Sequence, residues 1–99
     1  MDRIELSRRA QRDLRGLRGG ARDIASELDE LLGRGPLASA DIVPLRGRSP
    51  WLRLRIGDYR VLFRRLEERE AAALGANSGY LVARIVHRRE LERAVAGLR

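Results

Sequence analysis

The chain has 99 residues, with 21 basic side chains, all arginine, against 14 acidic ones and a formal charge of +7. That length fits a single domain over residues 1–99, with one modest core and two layers of secondary structure. The lack of cysteine and the single histidine exclude a disulfide framework and a cysteine nucleophile and argue against a zinc site; no apolar run nears the ~18 residues of a membrane span, and no signal-peptide core opens the chain, so the expectation is a cytoplasmic domain with no membrane role.

Arg3–Leu6 alternates and reads as a first strand, and Ser7 is placed to cap a helix. Ala10, Leu14 and Leu17 then recur at helical spacing, with Arg8, Arg9, Arg12, Asp13, Arg15 and Arg18 on the polar side. Gly19-Gly20 breaks this helix. A second follows, with an apolar stripe of Ala21, Ile24, Leu28, Leu31 and Leu32, and Gly33-Arg34-Gly35-Pro36 stops it. Two helices joined by a Gly-Gly turn predict an αα-hairpin that covers one sheet face.

Residues 36–50 read as a connecting loop with apolar anchors at Leu37, Ile42, Val43 and Leu45, and with Arg46 and Arg48 near its end. Beyond them lies a hairpin from Trp51 to Arg64. Gly57-Asp58 suits a two-residue type II′ turn, and apolar and basic residues alternate on both sides. If Ile56 and Tyr59 flank the turn, Arg55 faces Arg60, Arg53 faces Leu62 and Trp51 faces Arg64, all on one side of the sheet. Leu52, Leu54, Ile56, Tyr59, Val61 and Phe63 then form the core side. Like charges directly opposed destabilise a sheet, so Arg55 against Arg60 asks for an outside reason, and a polyanion is the simplest.

Residues 67–79 are polar and small and read as a long mobile connection whose first half can continue as a helical turn. Tyr80–His87 is a further strand with an ambiguous face, because Arg84 interrupts one apolar set and His87 ends the other. Glu90–Arg99 predicts a short terminal helix with Leu91, Ala94, Val95 and Leu98 on one stripe. The predicted class is α+β in the order β-α-α-β-β-β-α. It has a small, mostly antiparallel sheet, the helical hairpin on one face, and the arginine face left for a ligand. Arginine binds phosphate bidentately, stacks on bases and stays protonated at any working pH, so the surplus points to nucleic acid or an acidic protein. A GC-rich genome also favours arginine over lysine, but that does not explain where the arginines sit.

Three separated segments resemble the RelE/ParE family of toxins from bacterial toxin–antitoxin systems. They are Ile4–Leu14, then Leu45-Arg46-Gly47-Arg48 with Trp51–Val61, then Val86-His87-Arg88-Arg89-Glu90. The resemblance spans nearly the whole chain and implies the fold of RelE-like microbial ribonucleases. For the RelE branch it implies cleavage of messenger RNA in the ribosomal A site, with neither metal nor cofactor. The RNA's 2′-hydroxyl attacks the adjacent phosphate. That chemistry needs a proton acceptor, a charge partner for the transition state and a proton donor for the leaving 5′ oxygen.

By the same resemblance Arg60 contacts the scissile phosphate and Arg89 serves the leaving group. Arg53 and Arg55 lie on the strand where the RelE branch carries two lysines. Without a gap, Arg53 matches the second lysine and Trp51 the first; one shift of register matches Arg53 and Arg55 to both. The family's C-terminal tyrosine has no counterpart. His87 is the candidate replacement base, since imidazole titrates at about 6.5 and both takes and gives protons near neutrality. Arg46, Arg48, Trp51, Arg64 and Arg88 are candidate RNA contacts, although for Trp51 packing at the sheet edge is the favoured reading. The implied partners are a cognate antitoxin, messenger RNA and ribosomal RNA. The antitoxin is expected to be acidic or amphipathic, covering the arginine face or displacing the terminal helix. The alternative is a ParE-like toxin that poisons DNA gyrase without RNA chemistry.

Overall fold

The computed structural model describes residues 3–17, 21–33 and 41–98. Its strands are β1 (Arg3–Leu6), β2 (Ile42–Pro44), β3 (Leu52–Ile56), β4 (Tyr59–Arg65) and β5 (Gly79–His87). Its helices are α1 (Arg8–Arg15), α2 (Ala21–Gly33), α3 (Glu68–Ala73) and α4 (Leu91–Ala96), the last entered through a 3-10 turn at Arg88–Glu90. The expected Gly19-Gly20 turn, the stop after Gly33, Arg18, Leu37 and the side chains of Ala21, Arg22, Leu31 and Leu32 lie outside the described residues.

The strands form one mixed sheet in the order β1-β5-β4-β3-β2. β1 runs parallel to β5 and the other pairs are antiparallel. The β3–β4 register is the one the alternation predicts: Arg55 opposite Arg60, Leu54 opposite Val61, Arg53 opposite Leu62. Gly57 sits at φ +56, and no non-glycine residue described has positive φ, so only the first turn position is left-handed. That is the requirement of a type II′ turn, and it explains why glycine comes first.

One face of the sheet carries Leu54, Ile56, Val61, Phe63, Tyr80, Val82 and Ile85, packed with Ala10, Ile24 and Leu28 of α1 and α2. Phe63 and Tyr80 meet edge to face at 5.9 Å. Burying each large apolar side chain stabilises the fold by roughly 1.5–3 kcal/mol, so this layer is the principal apolar contribution.

β1 pairs with only the first part of β5, and α1 takes over the remaining edge. The Ser7 side chain accepts from the Ala10 N–H, capping α1, and its hydroxyl donates to the Ala83 carbonyl at 2.8 Å. Asp13 accepts the Ile85 N–H at 2.9 Å, standing in for a missing strand. The same carboxylate binds Arg84 at 2.8 Å.

Three expectations need correction. Residues 42–44 are a strand within the predicted loop; as an edge strand it tolerates Pro44, which has no N–H to donate. Residues 68–73 form a full helix, α3, where a mobile connection with at most a helical turn was expected, and Glu70 fixes its start by accepting the Glu67 N–H at 2.7 Å. The arginine face is also not open throughout. Leu91, Ala94, Val95 and Leu98 lay the terminal helix over Leu62 and Val86 on that side, forming a second, smaller core.

Candidate nucleic-acid interface

A bulge decides what the arginine face contains. Across β4 and β5, Leu62 pairs with Arg84 but Phe63 pairs with Val82, so Ala83 is an extra residue. The insertion breaks the period of two. Tyr80, Val82, Ile85 and His87 therefore share the core side, while Leu81, Arg84 and Val86 share the arginine side. This resolves the ambiguity of the Tyr80–His87 segment. It also turns His87 away from the face that carries Arg60. His87 instead meets Tyr59 edge to face at 5.7 Å.

Arg53, Arg55 and Arg60 do project together, on the side opposite the main core. Arg88 joins them at the Gly57–Asp58 end, where its backbone N–H donates to the Asp58 carbonyl at 2.8 Å. The Arg60 guanidinium is held below its ordinary pKa, first by partial burial and then by repulsion from Arg53, Arg55 and Arg88, with Asp58 acting the other way. It folds back to donate to the carbonyls of Gly57 and Tyr59 at 3.0 and 2.9 Å. Arg55 is paired with Asp41 at 2.7 Å on the exposed edge. Among the described residues no carboxylate pairs with Arg53 or Arg60. The Arg53 Nε is buried with no hydrogen-bond partner among the described residues. Backbone carbonyls neutralise no charge, so this cluster keeps a net positive field suited to an anion.

Arg89 lies at the same end but on the other side. Its backbone N–H and its Nε both donate to the His87 Nδ1, at 3.2 and 3.3 Å. His87, Arg89, Arg12 and Tyr59 line a shallow pocket of about 360 Å³.

The other sequence candidates lie apart. Arg46 and Arg48 are exposed on the β2–β3 connection, at the end of the sheet opposite Gly57. Trp51 is only 7% exposed, and the Arg64 guanidinium sits 5.5 Å over its ring. Arg64 in turn forms a bidentate pair with Glu70 at 2.8 and 3.0 Å and is 17% exposed. That bond raises the Arg64 pKa and holds the Glu70 carboxyl down at about 2. Arg64 thus ties α3 to β4, and Trp51 packs under it.

Sequence reasoning did not single out Arg84 or Arg93. With Arg9, Arg64 and Trp51 they line a groove of about 610 Å³ between the sheet and α4. Arg84 reaches this face because of the bulge, which no local sequence signal marks.

No protein-family model matches the chain, and no curated protein matches it. Solved structures do. The chain is similar to a chain of the RelB–RelE antitoxin–toxin complex of Methanococcus jannaschii, with 16% identity and a TM-score of 0.64, over 90% of this chain and 95% of that one. It is also similar to a chain of the toxin–antitoxin complex RelBE2 of Mycobacterium tuberculosis, with 26% identity and a TM-score of 0.58, over 86% of this chain and 95% of that one. The five-stranded α+β fold is therefore one found in toxin–antitoxin complexes. Its likeness points to a component of such a pair, and the particular neighbours are RelB–RelE assemblies. Among the described residues no helix is long and apolar enough to cross a membrane.

Proposed function

We propose that this chain is the toxin of a toxin–antitoxin pair and acts as a ribosome-dependent endoribonuclease on messenger RNA. The observation that carries the reading is the cluster of Arg53, Arg55, Arg60 and Arg88 at one end of the sheet, with Arg53 and Arg60 free of carboxylate partners among the described residues. A guanidinium cluster binds phosphate in the ground state and offsets the charge that grows on it during in-line attack.

In this scheme Arg53 and Arg60 hold the scissile phosphate, and Arg55 contributes once Asp41 releases it. The 2′-hydroxyl attacks that phosphate, and the bond to the 5′ oxygen breaks, leaving a 2′,3′-cyclic phosphate and a 5′-hydroxyl. His87 and Arg89 serve the proton transfers and the leaving oxygen, using protein side chains alone. Because they lie on the other side of β5, the RNA must bend around the Gly57–Asp58 end to meet both groups. The cognate antitoxin is expected to carry acidic residues that cover the arginines.

A second reading has one observation in its favour. The bulge at Ala83 separates His87 from Arg60, so no imidazole or lysine shares the face of the phosphate-binding arginines. A ParE-like toxin that binds DNA gyrase and does no RNA chemistry needs neither group. Induced expression separates the two. New 5′ ends in translated messages, abolished in Arg60→Ala, support the ribonuclease. Intact messages with stalled replication and DNA-damage signalling support the gyrase poison. If Arg60→Ala and His87→Ala both remain as toxic as wild type, the site assignment is wrong.

A further inference from the structure

α1 is far more basic than its neighbour, and its first turn has no acidic residue. It carries four arginines and one carboxylate over Arg8–Arg15, while neighbouring α2 carries one arginine and four carboxylates. Arg8 and Arg9 occupy the first turn, with no acidic residue there to suit the positive end of the helix dipole. Arg8 and Arg12 are like charges at i,i+4, a spacing at which they repel. The single carboxylate, Asp13, is taken by Arg84 and by the Ile85 N–H.

The arginines that result are not used inside the protein. Ala10, Leu14 and Leu17 turn toward the core. Arg8, Arg12 and Arg15 lie on the opposite side of the helix and are exposed. Among the described residues none of them pairs with a carboxylate. With Gln11 they line an open furrow of about 510 Å³.

We infer that the Arg8–Arg12–Arg15 ridge is a second polyanion-binding surface, separate from the Arg53–Arg60 face, and that its ligand is double-helical RNA. Charge sets the polyanion. The shape and chemistry of the ridge set the double helix. Single-stranded RNA is held by aromatic platforms on which bases stack, and the ridge has none. A-form duplexes are recognised by phosphate and 2′-hydroxyl contacts without stacking, which three guanidiniums and one carboxamide supply. The ridge runs about 10 Å along the helix axis, enough to follow a phosphate backbone across several contacts. The inference stands on α1 and does not require cleavage at the sheet face.

The test is binding of the full chain to a blunt RNA hairpin of about 16 base pairs across a salt series, with single-stranded oligoadenylate and poly-L-glutamate alongside. R8Q/R12Q/R15Q keeps helix propensity, and circular dichroism checks that it folds. It is expected to bind the duplex about ten-fold or more weakly and to flatten the log K against log salt slope by about 2–3. The loss is larger for the duplex than for oligoadenylate. R8K/R12K/R15K, which keeps the charge, retains most of the duplex affinity. An unchanged duplex affinity and slope in R8Q/R12Q/R15Q would overturn the inference. So would poly-L-glutamate binding as tight as the duplex, which would assign the ridge to an acidic polypeptide. Absence of messenger cleavage in the wild type would remove the ribonuclease reading and leave this result standing.

Discussion

Arg55 and Arg60 face each other across the β3–β4 pair, yet only Arg55 has a carboxylate within ion-pair distance. The two guanidiniums part company: Arg55 reaches outward to Asp41, and Arg60 folds back over the turn carbonyls. Their repulsion is thereby eased but not cancelled: the Arg60 pKa is lowered first by burial and then by Arg53, Arg55 and Arg88. Asp41 acts as a local brake on the positive field of this face.

Asp41→Asn should therefore tighten binding. Releasing Arg55 adds about one phosphate contact, steepening the salt dependence of single-stranded RNA binding by about 0.7. The pair is exposed, 61% and 46% for the two side chains, so stability should move by less than about 0.5 kcal/mol. Fluorescence titration over a salt series and a urea melt check the two halves.

Asp13 is the reverse case, a carboxylate whose loss harms the fold. It is 13% exposed and satisfies both Arg84, itself 19% exposed, and the Ile85 N–H. Asp13→Ala strands a half-buried charge and a strand donor, and should cost roughly 2–4 kcal/mol. Asp13→Asn keeps an acceptor for Ile85 and should cost less. Urea denaturation midpoints at fixed m-value measure both.

The Arg64–Glu70 clamp predicts a pH signature. The Glu70 carboxyl, bonded first to Arg64 and then to the Glu67 N–H, sits at about 2 against an ordinary value of 4.5. A carboxyl whose folded pKa is depressed stabilises the fold above its unfolded pKa, and the benefit is lost as pH falls through the folded one. Glu70 is 32% exposed, so solvent screening holds the contribution to about 1 kcal/mol. Wild type should exceed Glu70→Gln by that amount at neutral pH, with the gap closing between about pH 4.5 and pH 2. A gap that persists below pH 2 would mean that Glu70 acts by packing alone.

The β3–β4 hairpin was legible because its signals are local: a Gly-first turn and unbroken alternation on both sides. The core face and the arginine face followed from the same pattern. β5 was not legible in the same way, because one inserted residue, Ala83, reverses the facing of Ile85, Val86 and His87. Its cause is tertiary, since the Ser7 hydroxyl takes the Ala83 carbonyl and Asp13 takes the Ile85 N–H from a helix 70-odd residues away in sequence. β2 was missed because three residues ending in proline carry no strand period. α3 was legible only as a helical turn because its start depends on Glu67 and Glu70, where Ser, Thr, Asp or Asn is the usual signal. The clamp on Arg64 was not legible because composition does not reveal that Glu70 arrives beside it.

Gly79 shows another constraint that sequence hides. It opens β5 opposite Arg3, and a Cβ there would run into the Arg3 carbonyl oxygen and lie 3.0 Å from the Leu66 Cδ1. Gly79→Ala must push β1 off β5, its partner strand. It should lower stability by roughly 2–3 kcal/mol, read from the urea midpoint, and deprotect the β1 amides in hydrogen exchange.

The most direct measurement is the salt dependence of single-stranded RNA binding for wild type against Arg53→Ala/Arg60→Ala. Two lost phosphate contacts should flatten the log K against log salt slope by about 1.4, with the fold intact by circular dichroism. An unchanged slope would contradict the account, because the paired strands would then carry their arginines for some purpose other than holding phosphate.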